Sequence, residues 1–147
     1  MTEAEERAAV VAETRSWIGT PYVPGADVKG AGVDCGMLLI KVFQATGHMD
    51  PTFDPRPYPM QWHFHQVAEK YLGYIEIFSH PLPEGVDPSP GDIVLFKFGK
   101  CFSHGAIVTE WPHAIHAMRP LKVGTINVLN TPKMARLERR LFTVWPK

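Results

Sequence analysis

The apolar positions at the start of the chain recur with the period of an α-helix. They fall every three or four residues between positions 2 and 18, at Ala4, Ala8, Val11, Ala12 and Ile18. Thr2 and Glu5 have the spacing of a capping box, and Gly19 is typical of the position beyond a helix end. The pattern therefore predicts an amphipathic helix over residues 2–18.

A second apolar stretch, AGVDCGMLLIKVF at residues 31–43, has almost no polar positions. A helix that is apolar all round is buried on all sides. Asp34 is a favourable N-cap residue, so the helix is predicted to begin at Cys35 and to run to about Ala45. The preceding segment, residues 19–34, is rich in glycine and proline and predicts a loop.

Beyond the second helix the pattern changes from helical to strand-like. A third helix is predicted near Gln61–Leu72, and β-rich segments separated by turn residues follow it. They are YIEIF (74–78), DIVLFKF (92–98), HGAIVTE (104–110), AIHAM (114–118), TINVL (125–129) and RLFTVW (140–145). Helices followed by a run of strands indicate an α+β fold with an antiparallel sheet, in a single domain over residues 1–147.

The composition narrows the class of protein. Of the 147 residues, 45% are hydrophobic, which is enough for a substantial core. The 15 Lys and Arg residues balance the 15 Asp and Glu residues, so the chain has no general attraction to nucleic acid or to a membrane surface. No apolar stretch approaches the roughly 18 residues that suggest a membrane span. We therefore expect no nucleic-acid partner and no membrane span.

The N-terminal sequence MTEAEERAAVV lacks the basic and apolar regions of a signal peptide. We expect synthesis in the cytoplasm, with any transport elsewhere depending on another carrier. Cys35 and Cys101 are too few for a disulfide framework, and we expect no bridge between them.

Cys35 stands at the predicted N-terminus of the buried helix, where unpaired N–H groups favour a thiolate. A cysteine nucleophile also needs a histidine to move protons. His104 and His116 fall on neighbouring predicted strands, so they can meet on one face of the sheet. One would then contact Cys35 and the other would orient the first, as in a catalytic triad. His113 stays open as an alternative orienting residue.

Other interpretations of these residues remain. A cysteine in an apolar run is often a core residue, and this interpretation is favoured for Cys101, which precedes a strand without a helix start. His104, His113 and His116 could bind zinc, but no HExxH or paired CxxC spacing supports a metal site. We expect neither a metal nor another cofactor.

Five motifs in a fixed order resemble the NlpC-type cell-wall cysteine peptidases, which are small papain-like enzymes. They are GTPYVPG (19–25), VDCGMLL (33–39), PGDIVLF (90–96), SHGAIV (103–108) and AIHA (114–117). The twelve-residue step from His104 to His116 is typical of the family. The resemblance covers about residues 10–120. It implies a papain-like α+β domain in which the nucleophile lies at the tip of a buried helix packed on an antiparallel sheet.

The resemblance also implies roles for individual residues. Cys35 matches the nucleophile, His104 the general base and His116 the orienting residue. Positions that bind the substrate correspond to Tyr22, Asp34 and Gly36. The implied reaction is hydrolysis of peptidoglycan stem or cross-link peptides through an acyl-enzyme, most often between γ-linked D-glutamate and a diamino acid.

Some residues depart from the usual family pattern. Gly36 and Met37 replace the usual Ser-Gly, Pro24 replaces an aromatic residue, and the strand reads HGAIV. With the ending RRLFTVWP and the expected lack of a signal peptide, these features most resemble the phage-tail branch. That branch implies transport to the cell wall in a phage or tail-like particle, with tail proteins as partners. Two alternatives remain, a tail-tip structural protein with little activity and an amidase or acyltransferase using the same triad.

Overall fold

The computed structural model describes residues 1–57 and 70–146. Its helices are α1 (Glu3–Arg15), α2 (Cys35–Ala45), α3 (Lys70–Phe78) and α4 (Pro132–Ala135). Its strands are β1 (Asp27–Val28), β2 (Gly32–Val33), β3 (His80–Pro81), β4 (Ile93–Phe98), β5 (Cys101–Glu110), β6 (His113–His116), β7 (Gly124–Asn127) and β8 (Arg139–Thr143). No helix within these two ranges is long and apolar enough to cross a membrane.

The main sheet of the described residues is antiparallel and has the strand order β3-β8-β4-β5-β6-β7. Strand β5 lies inside it, paired with β4 on one side and with β6 on the other. Strands β1 and β2 form a separate two-stranded sheet just before α2. Helices α1, α2 and α3 all contact β5, so the predicted α+β class, with helices on an antiparallel sheet, is confirmed.

The sheet separates two apolar clusters. The larger cluster includes the core of α2 and receives from the sheet Ile93, Leu95, Ile107 and Ile115. The smaller cluster includes Met134 of α4 and receives from the same strands Val94, Phe96, Ala106 and Val108. Because successive side chains of a strand point to opposite faces, β4 and β5 are buried on both sides. This explains why they read as nearly continuous apolar runs.

A bulge interrupts the pairing of β4 with β5 at Ser103. Phe96 is opposite His104 and Lys97 is opposite Phe102, so Ser103 is an extra residue on β5. Phe102 belongs to the larger cluster. His104 instead contacts Phe96 of the smaller cluster, with ring centroids 5.9 Å apart. Phe102 and His104 are two positions apart and would share a face in a regular strand, but because of the bulge they face different clusters.

The first two helices begin where their sequences predict. The Glu5 N–H donates to Thr2 Oγ1 and the Thr2 N–H donates to Glu5 Oε1, both at 3.1 Å, which completes the capping box. Helix α1 ends at Arg15, short of the predicted limit at residue 18, and the chain then turns to Gly19, whose φ is 90°. Helix α2 has its predicted bounds.

The prediction of a strand at residues 74–78 is wrong, because this segment belongs to α3. Tyr71 and Ile75 are buried four residues apart, which is the spacing of one helix face. Packing of that face against the sheet overrides the β propensity of tyrosine and isoleucine. The predicted helix at Gln61–Leu72 falls mostly on residues 61–69, which lie outside the described residues. Helix α4 has only four residues, too few for a periodic signal.

Gly105 allows α2 and α3 to pack directly on β5. A Cβ at this position would lie 2.7 Å from Tyr71 Oη, 3.0 Å from Leu39 Cδ2 and 3.1 Å from Leu95 Cδ2. These distances are too short for a methyl group, so the close approach of the helices to the strand requires glycine.

We expect Gly105→Ala to lower the free energy of unfolding by about 1–3 kcal/mol, because the added methyl overpacks the core. Gly73→Ala is the matched control, because the added Cβ has no described atom within 4 Å beyond its chain neighbours and the backbone of its own helix. Replacing this helix-interior glycine should raise the free energy of unfolding by about 0.5–1 kcal/mol. Urea unfolding measures both changes, and a Gly105→Ala variant as stable as wild type would contradict the expectation.

Candidate active site

The carboxylate of Asp34 joins the start of α2 to the loop before it. Its Oδ1 accepts the N–H of Met37 at 2.8 Å, which is the N-cap bond of α2. Its Oδ2 accepts the N–H of Gly25 at 2.7 Å. The residue is only 3% exposed. The substrate-binding role predicted for Asp34 stays a prediction, and the geometry gives it a positioning role at the helix tip.

The loop that carries Tyr22 pairs with Val33, two residues before Cys35. The Val33 N–H donates to the Pro21 carbonyl and the Val23 N–H donates to the Val33 carbonyl, both at 3.0 Å. This short parallel bridge brings the Tyr22 hydroxyl near enough to the Cys35 thiol to lower the pKa of the thiol. Burial, followed by the charges of Cys35 and Asp34, raises the pKa of Tyr22 above its usual value. Tyr22 therefore keeps its proton at neutral pH.

The Cys35 thiol lies where the tip of α2 meets β5. Its sulfur donates to the carbonyl of Ser103 across 3.7 Å, and Ser103 immediately precedes His104. The Cys35 carbonyl in turn accepts the hydroxyl of Tyr71 at 2.9 Å. The thiol is 7% exposed, so it is a nearly buried group held between helix and strand.

Burial raises the pKa of the Cys35 thiol to about 12. The negative charge of Asp34 contributes to this rise, whereas the Tyr22 hydroxyl and the backbone N–H groups of Cys35 and Gly36 oppose it. The N–H groups at the helix terminus therefore lower the pKa of the thiol, as the sequence predicts, but the rise caused by desolvation is larger. The thiol is protonated at neutral pH.

His104 and His116 form a hydrogen-bonded pair on neighbouring strands. His104 Nε2 lies 2.8 Å from His116 Nδ1. The pairing of Ala106 with His116 places the two histidines diagonally on one face of the sheet. The rings of Phe96 and Phe98 enclose His104, with centroids 5.9 and 5.7 Å away.

Both imidazoles are uncharged at neutral pH. Burial lowers the pKa of His104 well below its usual value, and the charges of His116 and Lys133 act in the same direction. Burial lowers the pKa of His116 to about 4. The short contact requires at least one neutral ring, since one ring must donate its N–H to the lone pair of the other.

The structure places the sequence-predicted residues in two groups, and among the described residues no hydrogen bond joins the Cys35 thiol to an imidazole, so the predicted contact of a histidine with Cys35 is not formed. Tyr22, Asp34, Cys35 and Gly36 surround the tip of α2, and His104 and His116 lie on β5 and β6. His113 is exposed and pairs with Asn127, so His116 is the residue that contacts His104. Within the described ranges, no three His, Cys, Asp or Glu residues are placed to hold a metal ion. Cys35 and Cys101 are both buried and are not joined in a disulfide.

Solved structures with the same architecture carry related descriptions. The NlpC/p60 domain of the peptidoglycan hydrolase SagA matches 92% of this chain and 97% of its own, with 23% identity and a TM-score of 0.58. NlpC1 from Trichomonas vaginalis matches 97% of this chain and 45% of its own, with 15% identity and a TM-score of 0.65. An NlpC/P60 family protein from Bacillus cereus ATCC 10987 matches 95% of this chain and 40% of its own, with 18% identity and a TM-score of 0.65. The chain has the NlpC/p60 fold.

The NlpC-like resemblance of the sequence motifs is therefore confirmed, together with the papain-like fold class. No family model matches the chain. Among curated proteins, the γ-DL-glutamyl hydrolase of Bacillus subtilis (strain 168) is 34% identical in an alignment of 124 residues that covers 82% of this chain. The match covers 25% of the relative, so the chain spans about a quarter of that protein's length.

The site also depends on contacts that the sequence pattern does not reveal. The Arg56 guanidinium donates from Nη1 to the Gly25 carbonyl at 2.9 Å, so Arg56 and Asp34 hold Gly25 from two sides. The Tyr71 hydroxyl fixes the Cys35 carbonyl. These partners are 31 and 36 residues apart in sequence, and no motif or period links them.

We expect Asp34→Asn to lower the pKa of Cys35, because a negative charge beside the thiol is removed. It should also lower the free energy of unfolding by about 1–3 kcal/mol, because an amide replaces the carboxylate that serves two backbone donors. The pH dependence of alkylation by iodoacetamide measures the first effect, and urea unfolding measures the second. Asp87→Asn, at an exposed carboxylate, is the control. A thiol pKa that is unchanged or raised in Asp34→Asn would contradict the expected coupling.

The lowered pKa of His116 predicts a loss of stability at acidic pH. Unfolded His116 takes up a proton below about pH 6.5, whereas the folded residue stays neutral down to a pKa of about 4. The free energy of unfolding is therefore not reduced by this group above pH 6.5. Between pH 6.5 and 4 it falls by about 1.4 kcal/mol per pH unit for one such group. In His116→Asn only His104 remains to contribute, so the slope should become shallower. Urea unfolding at several pH values tests this, and identical slopes would refute it.

Proposed function

We propose that this chain is a cysteine peptidase that hydrolyses stem or cross-link peptides of peptidoglycan. The observation that carries the proposal is the contact of the Cys35 thiol with the Ser103 carbonyl, one residue before His104, whose ring is hydrogen-bonded to His116. Support comes from the structural neighbour described as a peptidoglycan hydrolase and from the curated relative described as a γ-DL-glutamyl hydrolase.

In the proposed mechanism, His104 removes the proton of the Cys35 thiol as the sulfur attacks the peptide carbonyl. In the free protein the thiol donates to Ser103 and the His104 ring faces the smaller cluster, so the proposed proton transfer requires the His104 segment to bring its imidazole to the sulfur when the substrate binds. The N–H of Cys35, at the tip of α2, stabilises the oxyanion. His104 then gives its proton to the leaving amine, and water hydrolyses the acyl-enzyme. His116 holds the His104 ring in the required tautomer.

The uncharged resting site explains why substrate is needed for this proton transfer. A thiol with a pKa of about 12 and a neutral imidazole do not form an ion pair on their own. The charge on sulfur moves to the carbonyl oxygen as the tetrahedral intermediate forms, where the helix N-terminus stabilises it. The proposed mechanism therefore generates the nucleophile only during attack.

The proposed bond is the amide between a γ-linked D-glutamyl residue and a diamino acid. The curated relative acts on γ-glutamyl bonds by its description, which agrees with a γ-glutamyl group on the acyl side. Transfer of the acyl group to an amine instead of water would make the same site an acyltransferase, and cleavage of a non-peptide amide would make it an amidase. Analysis of the products separates these reactions.

The proposed setting is a phage or tail-like particle that carries the chain to the cell wall, with tail proteins as partners. A second candidate function is a tail-tip structural protein with little activity. One observation favours it, because burial and the resulting high pKa of Cys35 would make its thiol slow to react. The rate of thiol alkylation at neutral pH distinguishes the two functions.

The test is digestion of purified peptidoglycan, with the released fragments identified by mass. We expect Cys35→Ala to abolish fragment release, because the nucleophile is removed. Cys101→Ala is the matched control, since Cys101 is a 1% exposed residue at the start of β5 and should leave the activity nearly intact. Near-normal release by Cys35→Ala would refute the proposed mechanism.

The same assay ranks the two histidines. His104→Ala should be nearly inactive, because the nucleophile loses its base. His116→Ala should be strongly impaired, and His116→Asn should recover part of the rate through a hydrogen bond to His104. If His116→Ala were as fast as wild type while His113→Ala was impaired, the proposed role of His116 would be wrong.

A further inference from the structure

The segment after β6 forms a fixed turn beside the candidate nucleophile. The Leu121 N–H donates to the Met118 carbonyl at 2.7 Å, which closes the turn. The Val123 N–H donates to the Thr20 carbonyl at 2.8 Å, and Pro21 forms a bridge with Lys122. Backbone contacts therefore hold this turn against the loop that contains Tyr22.

Arg119 lies within this turn and extends over Tyr22. Its Cζ is 5.8 Å from the centroid of the Tyr22 ring, within the range of a cation–π contact. Arg119 is an exposed residue. Its positive charge lowers the pKa of Tyr22, which opposes the rise caused by burial. Since the Tyr22 hydroxyl lies near the Cys35 thiol, the guanidinium is one side chain away from the candidate nucleophile.

The charge of Arg119 is not balanced within the described part of the chain. Arg7 is paired with Asp92, and Arg56 is paired with Asp27 and Asp54. Arg119 forms no ion pair with a carboxylate among the described residues. Among the described residues, no carboxylate would have to be displaced before the exposed guanidinium of Arg119 could contact an anion from outside the chain.

We propose that Arg119, supported by the ring of Tyr22, binds a free carboxylate of the substrate next to the bond that Cys35 attacks. The inference rests on the proposed peptidase function and specifies its substrate as an acidic peptide. A glutamyl residue that is joined through its γ-carboxyl group keeps a free α-carboxylate close to the scissile amide. The planar guanidinium can bind such a carboxylate through two parallel hydrogen bonds.

The first test needs no peptidase activity. It compares alkylation of Cys35 by anionic iodoacetate with alkylation by neutral iodoacetamide. In both reactions the sulfur bonds to the methylene carbon, iodide leaves with the electron pair of the C–I bond, and the thiol proton passes to solvent. Peptide mapping assigns the label to Cys35 and separates it from Cys101.

We expect Arg119→Gln to reduce the ratio of the iodoacetate rate to the iodoacetamide rate by about fivefold, the effect of one partly screened charge. Arg119→Lys should keep part of the preference. Arg15→Gln, at an exposed arginine on α1, is the matched control and should not change the ratio. An unchanged ratio in Arg119→Gln would overturn the proposal. An equal loss in Lys122→Gln would also overturn it, because general surface charge would then explain the preference.

The second test uses three synthetic peptides with the same γ-glutamyl bond. One has both its α-carboxylate and its C-terminal carboxylate free, and each of the others has one of these groups amidated. Arg119→Gln should raise KM for the unmodified peptide about tenfold with little change in kcat, as expected for the loss of a charge-assisted contact. The amidated peptide on which the variant has no effect identifies which carboxylate Arg119 binds. An equal effect on all three peptides would overturn the proposal.

The two tests separate this proposal from the proposed function. If the alkylation ratio falls in Arg119→Gln but no peptide is cleaved, the carboxylate site stands and the peptidase assignment fails. If the peptides are cleaved but Arg119→Gln changes neither the ratio nor KM, the peptidase assignment stands and the carboxylate site fails.

Discussion

The candidate site depends on one carboxylate, that of Asp34. A single side chain caps α2 at Met37 and holds the preceding loop at Gly25, so the positions of Cys35 and Tyr22 relative to each other follow from it. The same negative charge opposes ionisation of the adjacent thiol. The Asp34 carboxylate therefore positions the candidate nucleophile and also makes it less acidic. Both effects come from the same carboxylate, so neither can occur without the other.

The remaining side chains of the site follow the same electrostatic logic. A buried ion pair is costly unless further hydrogen bonds compensate the loss of solvation. Here the thiol stays protonated, the two imidazoles stay neutral, and each finds a neutral partner in Ser103 or in the other ring. The free protein thus satisfies its buried polar groups without any internal charge on the proposed catalytic residues, and it leaves its positive charge at the surface on Arg119.

Local signals in the sequence predicted the parts of the site that depend on local geometry. The cap at Asp34, the buried helix from Cys35 and the pairing of His104 with His116 could all be inferred from spacing, period and family motifs. The strand predicted at residues 74–78 was wrong because tyrosine and isoleucine favour strands, whereas burial against the sheet decides their conformation. The contacts of Arg56 with Gly25 and of Tyr71 with Cys35 depend on how distant segments meet, and no local pattern records that.

The bulge at Ser103 changes the phase of β5. In a regular strand, Phe102 and His104 would lie on the same face of the sheet, so both would pack against the same cluster. One additional residue reverses the alternation, so Phe102 packs in the larger cluster whereas His104 faces the smaller one. Because the two positions are out of phase, the core aromatic and the imidazole can vary in size and identity without competing for the same space.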